Sequence, residues 1–209
     1  MKHFAIIFLA VVAALVADGQ ARADERRSCA VARIEGGDAR IWSGGAWRPI
    51  GREPLPDAAV KVATGPNTRL EIACDDGVVI TIGVATEANL EDLTGPSGRS
   101  HNIVIQLIDG VLGLVAPIRT WAGFHIRTPL AIASVRSTEW LVSHGMGGPG
   151  AIFVREGRVA VRALGSAAKL SLGSGEGVDI SASGTPGRAK KWGAARVEAT
   201  GALLGLGWR

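Results

Sequence analysis

The chain has 209 residues, of which 47% are hydrophobic and 20% are charged, and its formal net charge at pH 7 is +4. This length suits one globular domain once any targeting segment is removed, and 29 glycines without a Gly-X-Y period exclude a collagen-like repeat. The basic residues are spread along the sequence, and their one compact group (Arg188, Lys190 and Lys191) is too small to indicate a nucleic-acid interface. We therefore expect no nucleic acid among the partners.

The first 23 residues have the three parts of a secretory signal peptide. Lys2 supplies a short positive start, residues 5–17 form an unbroken apolar stretch of 13 residues, and Ala21-Arg22-Ala23 has the small-x-small form of a cleavage site. A retained membrane anchor is the alternative, but 13 helical residues span only about 20 Å, less than the roughly 30 Å hydrocarbon core. We predict cleavage after Ala23, export of the remainder, and no membrane span in the mature chain.

Two cysteines, Cys29 and Cys74, lie in the part of the chain that we expect to be exported. An oxidising compartment permits a disulfide between them. An even count without a Cys-x-x-Cys spacing argues against a metal site. Buried thiols that do not pair are the alternative, so Cys29 and Cys74 are candidate disulfide partners.

From about residue 30 onward, short runs of alternating apolar and polar residues recur between Gly, Asp, Pro and Asn turns, as is typical of an all-β protein. In residues 69–73, for example, the apolar side chains of Leu70 and Ile72 point to one face and the charges to the other. The spacing suits a sandwich, a barrel or a β-solenoid. Three acidic-glycine steps each separate two apolar runs, and they are interpreted as hairpin turns or as corners of a coiling β-structure: Asp76-Gly77, Asp109-Gly110 and Glu156-Gly157.

The most distinctive segment, residues 124–142, joins a strand, a Thr128-Pro129 corner, an apolar run and the polar group Arg136-Ser137-Thr138-Glu139. Charged residues surrounded by apolar neighbours are usually paired. We predict that Arg136 and Glu139 bond to each other or to backbone, and that Thr138 caps the same corner. A recognition patch is the alternative interpretation.

No arrangement of residues in the sequence indicates catalysis or metal binding. Gly145-x-Gly147-x-x-Gly150 matches a dinucleotide fingerprint, but a strand-like run follows it where a helix N-terminus is needed, so we predict a hairpin loop. His101, His125 and His144 are isolated from one another and from paired carboxylates, and no nucleophile elbow occurs. We expect no enzyme activity, no metal and no cofactor.

Residues 183–209 predict a C-terminal tail with a modest amphipathic helix over residues 189–206. Four residues fall on one stripe that we expect to face inward: Trp192, Ala195, Ala199 and Leu203. Gly193, Gly201 and Gly205 lower the helical propensity of the segment.

Residues 124–142 resemble the signature of FecR-type domains, the extracytoplasmic part of regulators of iron–siderophore uptake. The resemblance rests on Thr128, Pro129, Val135, Arg136, Thr138 and Glu139, and it extends over residues 39–180 through Trp47, Thr64-Gly65 with Asn67, Asp76-Gly77 and Glu156-Gly157 in the family's order. Ser137 stands where the family usually has glycine, and Trp140 replaces a phenylalanine.

The resemblance implies a compact, β-solenoid-like or sandwich-like domain, here residues 24–182, in the periplasm of a Gram-negative-type envelope. It also implies a protein partner in that envelope and a structural role for the signature residues. We do not expect the transmembrane regulatory arrangement to carry over whole.

Two functions of different classes remain open. One is an interaction or sensing module that contacts an envelope protein through strand edges and loops such as residues 143–150. The other is a cell-wall or glycan-binding module in which Trp42, Trp47 and Trp121 stack on sugar rings. Because the chain contains no tyrosine, these tryptophans are also explained as anchors of the core.

Overall fold

A computed structural model describes residues 27–56, 61–90, 93–94, 102–117, 123–206 and 208 of the chain. The side chains of Arg136 and Ser137 lie outside the described residues, although their backbone belongs to a strand. The predicted signal peptide, His101 and Trp121 also lie outside the described residues, so what we predicted for them stays a prediction.

The described residues form fourteen strands and one helix. In chain order they are β1 (Cys29–Glu35), β2 (Ala39–Ser43), β3 (Ala46–Pro49), β4 (Lys61–Thr64), β5 (Arg69–Cys74), β6 (Val79–Ile82), β7 (Glu87–Asn89), β8 (Asn102–Ala116), β9 (Gly123–Arg127), β10 (Ala131–His144), β11 (Gly150–Ala163), β12 (Lys169–Gly173), β13 (Glu176–Ile180), β14 (Lys190–Lys191) and α1 (Ala194–Leu204). The predicted all-β class is confirmed. No helix in this part of the chain is long and apolar enough to cross a lipid bilayer.

The strands belong to a single sheet whose neighbours run antiparallel, apart from the parallel pair β8 and β9. Buried side chains from strands near both ends of the sheet, such as Ile41 of β2 and Val178 of β13, join one core cluster. The sheet must therefore curl around that core. Trp140 and Phe124 are among the largest fully buried side chains.

The alternation of inward and outward side chains shifts by one residue partway along each of the three longest strands, β8, β10 and β11. In β10 the side chains that join the main core are those of Ala131, Ala133 and Val135 before residue 136, but those of Trp140 and Val142 after it. A β-bulge inserts one residue and shifts the period-two alternation in this way, and the pairing of β10 with β11 is irregular between Val135 and Thr138.

Two of the acidic-glycine steps make the matching bends in β8 and β11. Gly110 and Gly157 have φ angles of +100° and +94°, and only glycine adopts such angles readily. Asp76-Gly77, in contrast, is the hairpin turn between β5 and β6. The hairpin-turn interpretation therefore applies to Asp76-Gly77, and the corner interpretation applies to the two later steps.

A disulfide and a buried ion pair hold the beginning of the described chain. Cys29 of β1 lies opposite Cys74 of β5, with 4.0 Å between the Cα atoms, and the two residues are joined by a disulfide. Beside it, Nε of Arg27 lies 2.5 Å from Oδ2 of Asp76, and the Arg27 side chain is only 3% exposed. Burial of both groups makes the partner of each necessary for the other.

The C-terminal segment packs on the outer surface of the sheet, but with a different face from the one predicted. The buried positions are Gly201, Leu204 and Trp208, whereas Ala195 and Ala199 are exposed and Leu203 is 42% exposed. The predicted inward-facing stripe was wrong because it treated Trp192 as a helical residue and placed the other positions by helical spacing from it. Trp192 precedes α1, which begins at Ala194. That tryptophan stacks on Phe153 of β11 with 4.8 Å between ring centroids.

Two glycines of the sheet allow the indole rings of this segment to lie directly on the strands. A Cβ atom at Gly113 would be 2.7 Å from Nε1 of Trp208, and one at Gly177 would be 2.2 Å from Nε1 of Trp192. The guanidinium of Arg69 donates hydrogen bonds to the carbonyl oxygens of Leu203 and Ala202 at the end of α1. The outer surface over this half of the sheet is consequently covered.

We predict that replacing both cysteines, Cys29→Ala with Cys74→Ala, lowers the free energy of unfolding. The crosslink spans a sequence separation of 45 residues, for which the loss of unfolded-state entropy contributes about 4 kcal/mol. Urea denaturation of parent and double variant, followed by tryptophan fluorescence, measures the difference. The parent in dithiothreitol is the matched control and should approach the variant, and equal midpoints for all samples would contradict the prediction.

Candidate functional site

The Thr128-Pro129 corner is closed by the side chain and backbone of its own threonine. Oγ1 of Thr128 accepts hydrogen bonds from the backbone N–H groups of Leu130 and Ala131 at 3.2 and 3.0 Å. The N–H of Thr128 donates to the carbonyl oxygen of Ala131 at 2.8 Å. Because Thr128 is buried and its oxygen is occupied within the turn, its contribution here is structural.

In the polar group of the signature, Glu139 has a partner on the neighbouring strand, and the predicted Arg136–Glu139 bond stays a prediction. Glu139 accepts a hydrogen bond from Arg155 of β11 at 2.9 Å, and the side chain of Arg136 lies outside the described residues. Thr138 is buried, and its Oγ1 has no hydrogen-bond partner among the described residues, so it does not cap the corner. Arg155 also lies 5.6 Å from the ring centroid of Trp208, which ties the signature to the C-terminal segment.

The partner of Glu139 was not identified from the sequence because a hairpin register decides it. Glu139 lies opposite Glu156 in the β10–β11 pair, and Arg155 is the residue left without a Cα partner at the register shift between Glu139 and Trp140. Both side chains of the ion pair are about one-quarter to one-third exposed (26% and 35%). Such a pair contributes at most about 1 kcal/mol.

Basic residues that are distant in sequence share one outer surface of strands β9 to β12. Arg127 of β9 and Arg162 of β11 both lie opposite Ile132 of β10, and Lys169 of β12 lies opposite Arg162. His125, Ser134 and Ser171 form the adjacent row through the same pairings. The surface, which we call the basic face, consists of Arg127, His125, Ser134, Arg158, Arg162, Lys169 and Ser171.

The cations of the basic face are not neutralised. Arg127, Arg158, Arg162 and Lys169 are exposed, and none of them forms an ion pair or hydrogen bond with the residues that the structure describes. The acidic residues of β9–β12, Glu139 and Glu156, lie beyond the bend in β11. An unpaired group of this kind produces a positive surface potential that attracts anions.

Basic residues that are spread along the sequence therefore come together in the folded chain. Arg127, Arg158, Arg162 and Lys169 come from three strands. Antiparallel pairing brings them together because alternate residues of paired strands point to the same side. In the sequence, the indication of this face was that Arg158 and Arg162 are four residues apart in a strand-like run. Residues with this spacing point to the same side of a sheet.

A depression of about 390 Å³ lies within the basic face, lined in part by His125, Ser134, Arg158 and Ser171. Nδ1 of His125 is 2.6 Å from Oγ of Ser134. Burial, and secondarily the nearby guanidinium of Arg127, lower the pKa of His125 below its ordinary value. Among the described residues no carboxylate bonds to the imidazole, so the pair lacks the orienting third member of a nucleophile–base arrangement.

A second depression adjoins the basic face at the Thr128-Pro129 corner. It has a volume of about 310 Å³ and its lining includes Leu107, Arg127, Pro129 and Leu164. We call it the Leu164 groove, because Leu164 is 44% exposed there. Arg127 borders both the groove and the row of cations.

The remaining sites suggested by the sequence lie apart from the basic face. Trp42 is 40% exposed and contacts the half-buried Trp47 edge to face at 5.6 Å, so neither is an anchor of the core. The predicted loop after β10 is confirmed as the β10–β11 hairpin connection, and Met146 in it is 80% exposed. The described residues contain no group of three or more His, Cys, Asp or Glu side chains arranged to hold a metal ion.

Residues 60–160 match the family model described as FecR protein. Two crystal structures of a proposed anti-sigma factor from Parabacteroides distasonis ATCC 8503 have a similar fold. Both are 18% identical to the chain, and their TM-scores are 0.57 and 0.56. The matches cover 68% and 66% of this chain and 63% of each of the other chains, so the similarity spans less than two thirds of those proteins. No curated protein shows significant sequence similarity to the chain.

We predict that Arg127→Gln raises the pKa of His125 but leaves it below the ordinary histidine value, since burial, the larger cause, remains. NMR titration of the imidazole resonances measures this change. The control is Arg158→Gln, since Arg158 lines the same depression. It should change the pKa of His125 less than Arg127→Gln does. An unchanged pKa in Arg127→Gln would show that the guanidinium does not act on the ring. Because the unfolded chain binds this proton more readily, His125 lowers stability as the pH falls below the ordinary histidine pKa.

Proposed function

Because the chain carries a FecR domain over residues 60–160, we propose that it is an exported, non-enzymatic sensing or interaction module that binds an envelope protein. The basic face is the observation that carries this proposal. It presents unpaired cations on the outer surface of the FecR domain and of the strands that follow it. Charged surfaces of this kind accelerate association and select partners of opposite charge.

Two further observations support a binding role. The solved structures with a similar fold are described as a proposed anti-sigma factor, and binding of another protein is consistent with that description. In addition, the signature residues Thr128 and Val135 are buried and so stabilise the fold, while the neighbouring outer surface remains open. A rigid sheet with an open, charged surface suits recognition.

A cell-wall or glycan-binding module is the second candidate, and the exposure of Trp42 favours it. An exposed indole face is suited to stacking on a sugar ring. However, Trp42 and Trp47 meet at an interplanar angle of 74°, so they do not form one flat platform. In the sheet order this hairpin (β2–β3) is separated from β9 by β4, β7 and β8, which allows the two candidates to be tested separately.

Export is tested by the mass of the mature protein. We expect a chain that begins at Asp24 in the envelope fraction, because the small-x-small site ends at Ala23. Ala23→Arg, which replaces the small residue at that site, is the matched variant and should accumulate as the uncleaved precursor. Recovery of the intact Met1 chain from membranes of cells that express the parent would contradict export with cleavage.

The protein-binding role is tested by capture from an envelope extract. The charge-reversed variant Arg162→Glu with Lys169→Glu should recover at least about tenfold less of a partner than the parent, since two favourable charge contacts become repulsive. Arg52→Glu with Arg188→Glu, which reverses two other exposed cations, is the matched control and should retain the partner.

The two candidate functions predict opposite outcomes. If peptidoglycan fragments shift the tryptophan fluorescence of the parent, Trp42→Ala abolishes that shift, and no protein is captured, then the glycan-binding function replaces the one proposed. If a protein is captured equally well by all charge variants, the basic face is not its binding site.

A further inference from the structure

We propose that the basic face and the Leu164 groove together bind one acidic segment of a partner protein, which inserts a large apolar side chain beside its carboxylates. This inference rests on the proposed function and specifies the chemistry of the partner. The family match does not include the whole of this surface. It ends at residue 160, and Arg162, Leu164 and Lys169 lie after that residue.

The dimensions of the basic face suit several anionic groups in sequence. Arg127 and Lys169 are separated by three strand steps, from β9 through β10 and β11 to β12, or about 14 Å at about 4.8 Å per step. Arg158 and Arg162 are four residues apart along β11, which corresponds to about 13 Å. Cations distributed over such an area match a series of carboxylates better than one small ion.

The depression between these cations supplies hydrogen-bonding groups for an anion at the centre. Ser134 and Ser171 present hydroxyl groups there, and Arg158 borders them. Because His125 contacts Ser134, the serine hydroxyl is held within the depression. A carboxylate placed over it would accept hydrogen bonds while the outer cations contact neighbouring carboxylates.

The Leu164 groove defines the apolar part of the partner. Leu107, Pro129 and Leu164 contribute to its wall, and Arg127 lies at its border with the basic face. Its volume of about 310 Å³ is at the lower end of the range for ligand pockets. That size suits one large side chain of a peptide segment.

Two other classes of ligand fit this surface less well. A sugar polymer is usually recognised through exposed aromatic rings, and the basic face contains no Trp or Phe. A membrane surface requires a broad apolar area that enters the lipid, whereas Leu164 is the one large hydrophobic side chain that is exposed among the described residues of this surface. The combination of cations with one narrow apolar groove therefore favours a protein segment.

The test uses fluorescence anisotropy of short labelled peptides with the mature chain. The first peptide alternates Glu with Ser around one central Leu, the second has Ala in place of that Leu, and the third has Lys in place of every Glu. We expect the first peptide to bind best, with affinity that falls as salt rises, the second to bind about threefold more weakly, and the third not to bind.

Variants of the chain show which part of the surface binds the carboxylates of the peptide and which part binds its apolar side chain. Arg162→Glu with Lys169→Glu should reduce the affinity for both acidic peptides at least about tenfold. Leu164→Ser should weaken the Leu peptide to the level of the Ala peptide and leave the Ala peptide unchanged. The control Arg52→Glu with Arg188→Glu should bind as the parent does, and thermal melting checks that each variant remains folded.

Several results would overturn the inference. They are equal affinity for the Leu and Ala peptides, binding unaffected by the charge reversal, or no peptide binding accompanied by attachment to phosphatidylglycerol vesicles through the same cations. Capture of an envelope protein through the basic face without any peptide binding would overturn this inference alone. Peptide binding as described, without a protein partner in the envelope extract, would instead count against the proposed function.

Discussion

The change in residue alternation along β8, β10 and β11 is the constraint on which the rest of the structure depends. Each strand exchanges the residues that face the core at one bend, near Gly110, residues 136–138 and Gly157. Since a shift of one residue transfers every following side chain to the other side of the sheet, the three shifts must coincide. If one strand kept a regular alternation, its apolar residues would face solvent on one side of the bend.

The bends also divide the outer surface into two halves with different chemistry. On one side, Leu141 and Phe153 point outward and are covered by Trp192, Leu204 and Trp208 in a second apolar cluster. On the other side, outward positions carry Arg127, Arg162 and Lys169 and remain open. The pair Glu139–Arg155 lies near the boundary and contacts Trp208 through the arginine. The most distinctive segment of the sequence, residues 124–142, therefore crosses this boundary and contributes His125, Arg127 and Ser134 to the open half.

The charged side chains also differ between the two ends of the described chain, where they form ion pairs, and the basic face, where they do not. Ion pairs such as Arg27–Asp76 and Arg196–Asp179 hold the two ends of the described chain against the sheet. The cations of the basic face have no comparable partners among the described residues. Exposed like charges repel one another only weakly in water, so the fold tolerates them at little cost to its stability. Local arrangements that do not contribute to stability are commonly found at functional surfaces.

The sequence by itself determined the all-β class, the hairpin at Asp76-Gly77, the loop after β10 and the resemblance carried by Thr128 to Glu139. These features depend on local residue preferences and on period-two alternation, which are visible within a few residues. The tertiary structure alone decided that Glu139 pairs with Arg155, that α1 packs through Gly201 and Leu204, and that Trp42 is exposed. It also decided that scattered basic residues form one face. Strand register, the phase of a short helix and the packing of distant segments arise from contacts between residues far apart in the chain, and local patterns do not encode them.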